Sequence, residues 1–151
     1  TGPIFGSVTT EILINDDSDS LMSRVADVGG GLMARVIESI SLGTARPLSQ
    51  SVDNVSYAPK ISTSEANIKW HHPALGISRW VRGLSPKPGA WTTTLDQKIL
   101  IGDNQGVLVG TGSTALRLSM LKPAGKDWMD ASAWLRGLRQ IPHFVYVPHE
   151  Q

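Results

Sequence analysis

The sequence has no cysteine, which excludes disulfides and thiolate metal sites and agrees with a reducing, cytoplasmic setting. No apolar run approaches the ~18 residues that cross a bilayer, so no membrane span is expected. Thr1–Gly6 carries no basic segment leading into an apolar one, so no secretory signal is read there. There is no initiator Met, and the chain is expected to begin inside a longer protein or after processing. Histidines number only 4. His71 and His72 are adjacent and His143 and His149 lie far along the chain, so no pair has the i, i+4 spacing that sets two imidazoles on one helix face. They read as solvated side chains, and no metal site is expected. What remains is ordinary for a globular chain of 151 residues: 40% apolar and 18% charged. That length holds one domain, or one small domain plus a piece of another.

Charge is distributed unevenly. Residues 1–56 carry 3 Lys+Arg against 7 Asp+Glu, whereas residues 57–139 carry 11 against 5. An acidic first third followed by a basic remainder suggests two units, the second suited to a polyanion.

Along the chain, Ile4–Ile14 contains a β-branched run, Val8-Thr9-Thr10-Glu11-Ile12-Leu13-Ile14, that predicts a strand or strand pair. Asn15-Asp16-Asp17-Ser18 supplies turn chemistry and an N-cap. From Ser20 the apolar positions Leu21, Met22, Val25, Val28, Leu32, Met33, Val36, Ile37 and Ile40 step by three and four, predicting a helix of about six turns. Gly29-Gly30-Gly31 in its middle costs roughly 1 kcal/mol per residue relative to Ala. Gly43 is the expected C-cap.

Residues 44–64 are polar and rich in turn residues, and a domain boundary is placed there. A second helix is expected after His71-His72-Pro73, with Leu75, Ile77, Trp80, Val81 and Leu84 on its apolar face and Gly83 and Pro86 ending it. Four short strands follow: Ala90–Leu95, Lys98–Ile101, Gly106–Val109 and Ala115–Leu121, a pattern of small barrels and sandwiches. Asp130 caps a last short helix, Ala131–Leu138, and Ile141–Val147 is a candidate final strand.

Four segments in order carry a family resemblance: Thr1-Gly2-Pro3-Ile4; Tyr57-Ala58-Pro59-Lys60-Ile61 with Glu65-Ala66-Asn67-Ile68-Lys69-Trp70; Arg79-Trp80-Val81-Arg82-Gly83-Leu84-Ser85-Pro86-Lys87-Pro88-Gly89-Ala90-Trp91; and Leu121-Lys122-Pro123-Ala124-Gly125-Lys126-Asp127-Trp128-Met129. Across nearly the whole chain they resemble the C-terminal part of the methionyl-tRNA formyltransferase family. The resemblance implies an α/β plus β architecture. Residues 1–43 would be the tail of a Rossmann-like formyltransferase domain, 44–64 a linker, and 65–151 a small OB-like β-barrel that binds tRNA. It implies transfer of a formyl group from 10-formyltetrahydrofolate, the co-substrate of the full enzyme, to the amino group of methionine on initiator tRNA. A monomer without metal is expected.

The family's catalytic Asn, His and Asp correspond to positions before Thr1, so no catalytic residue is named. Asp16, Asp17 and Asp19 read as helix-capping carboxylates. The expected tRNA contacts lie in the matching segments: Lys60 in the linker, Arg79 and Arg82 one helical turn apart, Lys87 in the Pro-rich turn, and Lys122 and Lys126 around Pro-Ala-Gly. Arg136 and Arg139 extend the patch or solubilise the last helix. Trp80, Trp128 and Trp134 are expected to pack the domain, and Trp70 and Trp91 to cover the helix–barrel junction. The family has a longer stretch after Ile101, so roughly a strand and its loop are expected to be missing there. Two other readings remain: a stand-alone OB-like RNA-binding module, and another formyltransferase-superfamily member acting on an amino sugar or a folate.

Overall fold

The structure, a computed structural model, describes residues 2–53, 55–102, 107–140 and 142–144. The chain divides into two compact units, Thr1–Lys60 and Ile61–Gln151.

The first unit is built on helix α1 (Ser18–Ser41). Asp17 is its N-cap and forms a capping box: its side chain accepts from the Ser20 N–H at 2.8 Å, and Ser20 Oγ accepts from the Asp17 N–H at 3.0 Å. Asp16 is buried. It accepts from the Leu13 N–H at 2.6 Å and pairs with Arg24, whose guanidinium also donates to the Glu11 carbonyl. Leu42 caps the other end, and Gly43 follows in the left-handed region at φ 67°. The N-terminal segment crosses α1 closely at Gly6, where a Cβ would come within 3.0 Å of Leu32.

The strand expected over residues 8–14 does not form. Residues 8–13 take no regular structure and Ile14 lies in a turn; among the described residues the nearest bridge, Ile4 with Leu48, falls outside the segment. β-branched residues fit a pleated sheet, yet a strand needs a neighbour for its backbone groups. No side chain of α1 is buried.

The second unit holds the core. Helix α2 (Ala74–Leu84) buries Ile77, Val81 and Leu84. It runs through Gly83 and ends at Ser85, because the residue before a proline is turned away from helical geometry. Strands β1 (Ala90–Thr94), β2 (Gln97–Ile101), β5 (Met120–Pro123) and β6 (Met129–Asp130) form an antiparallel sheet in the order β1-β2-β5-β6; β3 (Val107–Gly110) and β4 (Ala115–Leu118) form a separate pair.

The single strand expected over Ala115–Leu121 is thus two strands in two sheets. The break is at Ser119: Leu118 still pairs with β3, whereas the Ser119 carbonyl accepts from the Ala131 N–H at 2.7 Å, in line with the β5–β6 register. Leu95 and Asp96 join β1 to β2 in a two-residue turn with φ 50° and 57°, a conformation that favours Asn and Gly over Leu. Asp130 caps α3 (Ala131–Arg136) through the Ala133 N–H. No closed barrel is formed by the described strands. The expected shortening after Ile101 falls on residues 103–106, outside the described residues. Most of the candidate strand at 141–147 also lies outside them, and 142–144 are not strand.

Candidate nucleic-acid interface

Helix α2 is held by a loop rather than by its own cap. Its N-cap, Pro73, offers no side-chain hydrogen bond, and Ser113 Oγ accepts from the Ala74 N–H at 3.1 Å in its place. The Gly112 N–H donates to the His72 carbonyl at 3.0 Å. The approach is so close that a Cβ on Gly112 would lie 1.7 Å from the His71 oxygen. With the buried stripe turned into the core, Arg79 and Arg82 lie off that stripe and one turn apart, Arg79 exposed and Arg82 half-buried.

Lys87 is exposed in the turn between α2 and β1, flanked by the cis peptide bonds Ser85-Pro86 and Lys87-Pro88. Lys122 alternates with buried Leu121 and Pro123 and so points away from the core. Lys126 is exposed in the turn after β5, where Gly125 has φ 73° and the Lys126 N–H donates to the Pro123 carbonyl. Lys60 is exposed at the last position of the first unit. The expected cations therefore leave different elements, the arginines a helix and Lys122 and Lys126 the sheet and its turn.

One cation escaped the sequence reading. Lys98 on β2 sets its Nζ 4.3 Å from the centroid of the Trp91 ring. Strand alternation would have turned Lys98 outward, but only the β1–β2 register brings it to Trp91. The tryptophans meet expectation only in part. Trp70 is buried, its Nε1 donating to Thr92 Oγ1 at 2.9 Å, and Trp134 packs partly buried against the core. Trp80 and Trp128 are exposed.

The carboxylates with displaced pKa values serve local structure. Hydrogen bonds from the Ser62 N–H and hydroxyl hold Glu65 below its ordinary value. Asp130 is lowered by the Ser132 hydroxyl and then by the Ala133 N–H, and Asp16 by Arg24 and then the Leu13 N–H. None is pushed upward, the direction that poises a carboxyl for proton transfer near neutrality. Among the described residues, no three His, Cys, Asp or Glu side chains gather to hold a metal ion, and no helix is long and apolar enough to cross a membrane.

Comparison with known proteins adds an independent line. The model of the family described as "Formyl transferase, C-terminal domain" matches residues 60–105 and 98–139. The methionyl-tRNA formyltransferase of Salinispora arenicola is 38% identical over 157 residues, covering 92% of this chain and 51% of the relative. That of an Arthrobacter species is 38% identical over 164 residues, covering 97% of this chain and 53% of the relative. The chain thus spans about half the length of the curated relatives it matches. Both alignments run longer than the whole 151-residue chain, so the relatives carry residues with no counterpart here. Among solved structures, HypX from Aquifex aeolicus superimposes with a TM-score of 0.67 at 14% identity, covering 97% of this chain and 32% of HypX. HypX in complex with tetrahydrofolic acid gives 0.51 at 15% identity over 68% of this chain and 22% of HypX. At such identities the likeness is one of fold.

Proposed function

The chain belongs to the formyl transferase family through its C-terminal domain, and from that premise we propose that it is the tRNA-holding part of a methionyl-tRNA formyltransferase. The whole enzyme would move a formyl group from 10-formyltetrahydrofolate to the amino group of methionine on the initiator tRNA, in the cytoplasm and as a monomer. Residues 1–43 are assigned to the tail of the catalytic domain, 44–64 to the linker and 65–151 to an OB-like tRNA-binding barrel. The observation that carries the reading is the family match across residues 60–139, the same stretch that holds the core and most of the basic side chains.

In this reading Lys60, Arg79, Arg82, Lys87, Lys122 and Lys126 meet phosphates. Such contacts supply affinity and set orientation without reading sequence. Formyl transfer itself needs a deprotonated amine and a stabilised tetrahedral oxyanion. The family's Asn, His and Asp, which would serve those needs, correspond to positions before Thr1. A stand-alone RNA-binding module accounts less well for residues 1–43, whose helix buries no side chain.

The test is to assay the purified 151-residue chain for both properties. Expected are binding of initiator tRNA and no formyl transfer when methionyl-tRNA and 10-formyltetrahydrofolate are supplied. Turnover by this chain would overturn the assignment of chemistry. Absence of tRNA binding by the folded chain would overturn the assignment of the site.

A further inference from the structure

Alternation divides the four-stranded sheet into two sides. Ala90, Thr92, Ile99, Ile101 and Leu121 are buried on one. Trp91, Lys98, Leu100 and Lys122 turn to the other, Trp91 also packing partly buried against the core. The register sets Trp91 beside Leu100 and Leu100 beside Lys122, so these three make a row across the strands. Lys98 is the next outward position along β2, with its ammonium over the Trp91 ring. The indole is pinned at its edge, Nε1 donating to the Thr63 carbonyl at 2.6 Å. In the other direction along β2 the next outward position is Gly102, and there the sheet is covered by the ring of Trp128. A Cβ on Gly102 would stand 2.6 Å from that ring. Trp128 nevertheless keeps 46% of its surface exposed.

We propose that this face is a platform for an RNA segment containing unpaired bases, with Lys98 and Lys122 taking phosphates and the exposed indole of Trp128 taking a base. The proposal rests on the reading of the second unit as an RNA holder and names a class of RNA structure that the cations alone would not select. Charge points to a polyanion, since residues 57–139 carry 11 Lys+Arg against 5 Asp+Glu. Asp127 adjoins Trp128 and repels phosphate there, which places the phosphates at the Lys98–Lys122 end. Flat, pre-positioned rings accept any base at little cost in order. The exposed ammonium–indole contact of Lys98 is weaker than a charge-assisted contact to phosphate. An arriving phosphate therefore draws Lys98 off Trp91.

The experiment measures binding of the full 151-residue chain to initiator tRNA and to a short unstructured single-stranded RNA, by fluorescence anisotropy across a salt series. The variants are Lys98→Gln, Lys98→Arg and Trp128→Leu. Expected with the single strand is a salt slope reduced by about 0.7 for Lys98→Gln, restored by Lys98→Arg. Trp128→Leu weakens binding about tenfold without changing the slope. Should Trp128→Leu lower the melting temperature, the Lys98 pair decides alone, because that side chain is exposed. If tRNA binds and none of the variants changes either RNA's affinity or slope, the platform is overturned while the tRNA reading stands. If the single strand binds through Lys98 and Trp128 but tRNA does not bind, the platform stands and the tRNA reading fails. If the folded chain binds neither RNA, both are overturned.

Discussion

Helix α1 has 24 residues and no buried side chain, whereas α2 has 11 and buries Ile77, Val81 and Leu84. Both show apolar residues at helical spacing. The difference is in what each helix meets. The stripe of α2 closes onto Ala90, Ile99, Leu118 and Leu121, which are buried with it. On α1, Met22, Val25, Met33, Ile37 and Ile40 follow one another by three, eight, four and three residues, and all are exposed, Met22 by 68%. A periodic pattern specifies a face but does not supply the surface that covers it. Fully burying such side chains contributes about 1.5–3 kcal/mol each, so five that stay about half exposed forgo on the order of 5 kcal/mol, the low end of the whole stability of a domain.

The largest expected effect is seen when the two regions are separated. Residues 57–151 alone should unfold cooperatively on heating, followed by circular dichroism, while residues 1–56 alone should show no cooperative transition. Cooperative melting of the smaller piece would erase the contrast. Next come point substitutions in the full chain. Leu118→Ala should cost about 2–5 kcal/mol in urea denaturation, because it leaves a cavity in the core. Gly112→Ala should cost about 1–3 kcal/mol, because the loop must withdraw from the His71 carbonyl and loosen its hold on α2. Met33→Ala on α1 should change stability by less than about 0.5 kcal/mol. Equal losses from Leu118→Ala and Met33→Ala would mean that α1 is covered in solution.

A smaller gain is expected from the glycines of α1. A Cβ at Gly29 or Gly30 meets nothing within 4 Å, so Gly29→Ala and Gly30→Ala should each favour the helix by about 1 kcal/mol and raise its ellipticity. The smallest effect is with pH. Glu65 and Asp130 have folded pKa values below their ordinary 4.5 and 3.8. Their contributions are complete above those values and are lost as pH falls through the lowered folded values. The melting temperature of residues 57–151 should therefore drop on acidification below about pH 4. Asp130→Asn, which keeps an acceptor without titrating, should flatten that fall.

What could be read from the sequence follows the range of the forces involved. Helix α2, the strands β1 and β2 and the Asp130 cap are written in local signals, namely proline placement, alternation and a capping carboxylate, whereas the turn at Leu95-Asp96 has no Gly or Asn to announce it. The corner at Ser119 has no Gly or Pro to announce it and exists because the chain changes sheets there. The run at residues 8–14 has the composition of a strand but no partner. Among the site residues, each cation could be placed on its element, yet the pairing of Lys98 with Trp91 depends on register, and the seating of Trp128 on Gly102 depends on tertiary packing. That is why the outward sheet face emerges only from the folded chain.

The basic, self-contained region is the one proposed to hold RNA. Binding of initiator tRNA should be measured for residues 57–151, residues 1–56 and the full chain over a salt series. Residues 57–151 are expected to bind as tightly as the full chain, with log affinity falling linearly in log salt, and residues 1–56 not to bind. A folded 57–151 that fails to bind, or binding that resides in residues 1–56, would contradict it.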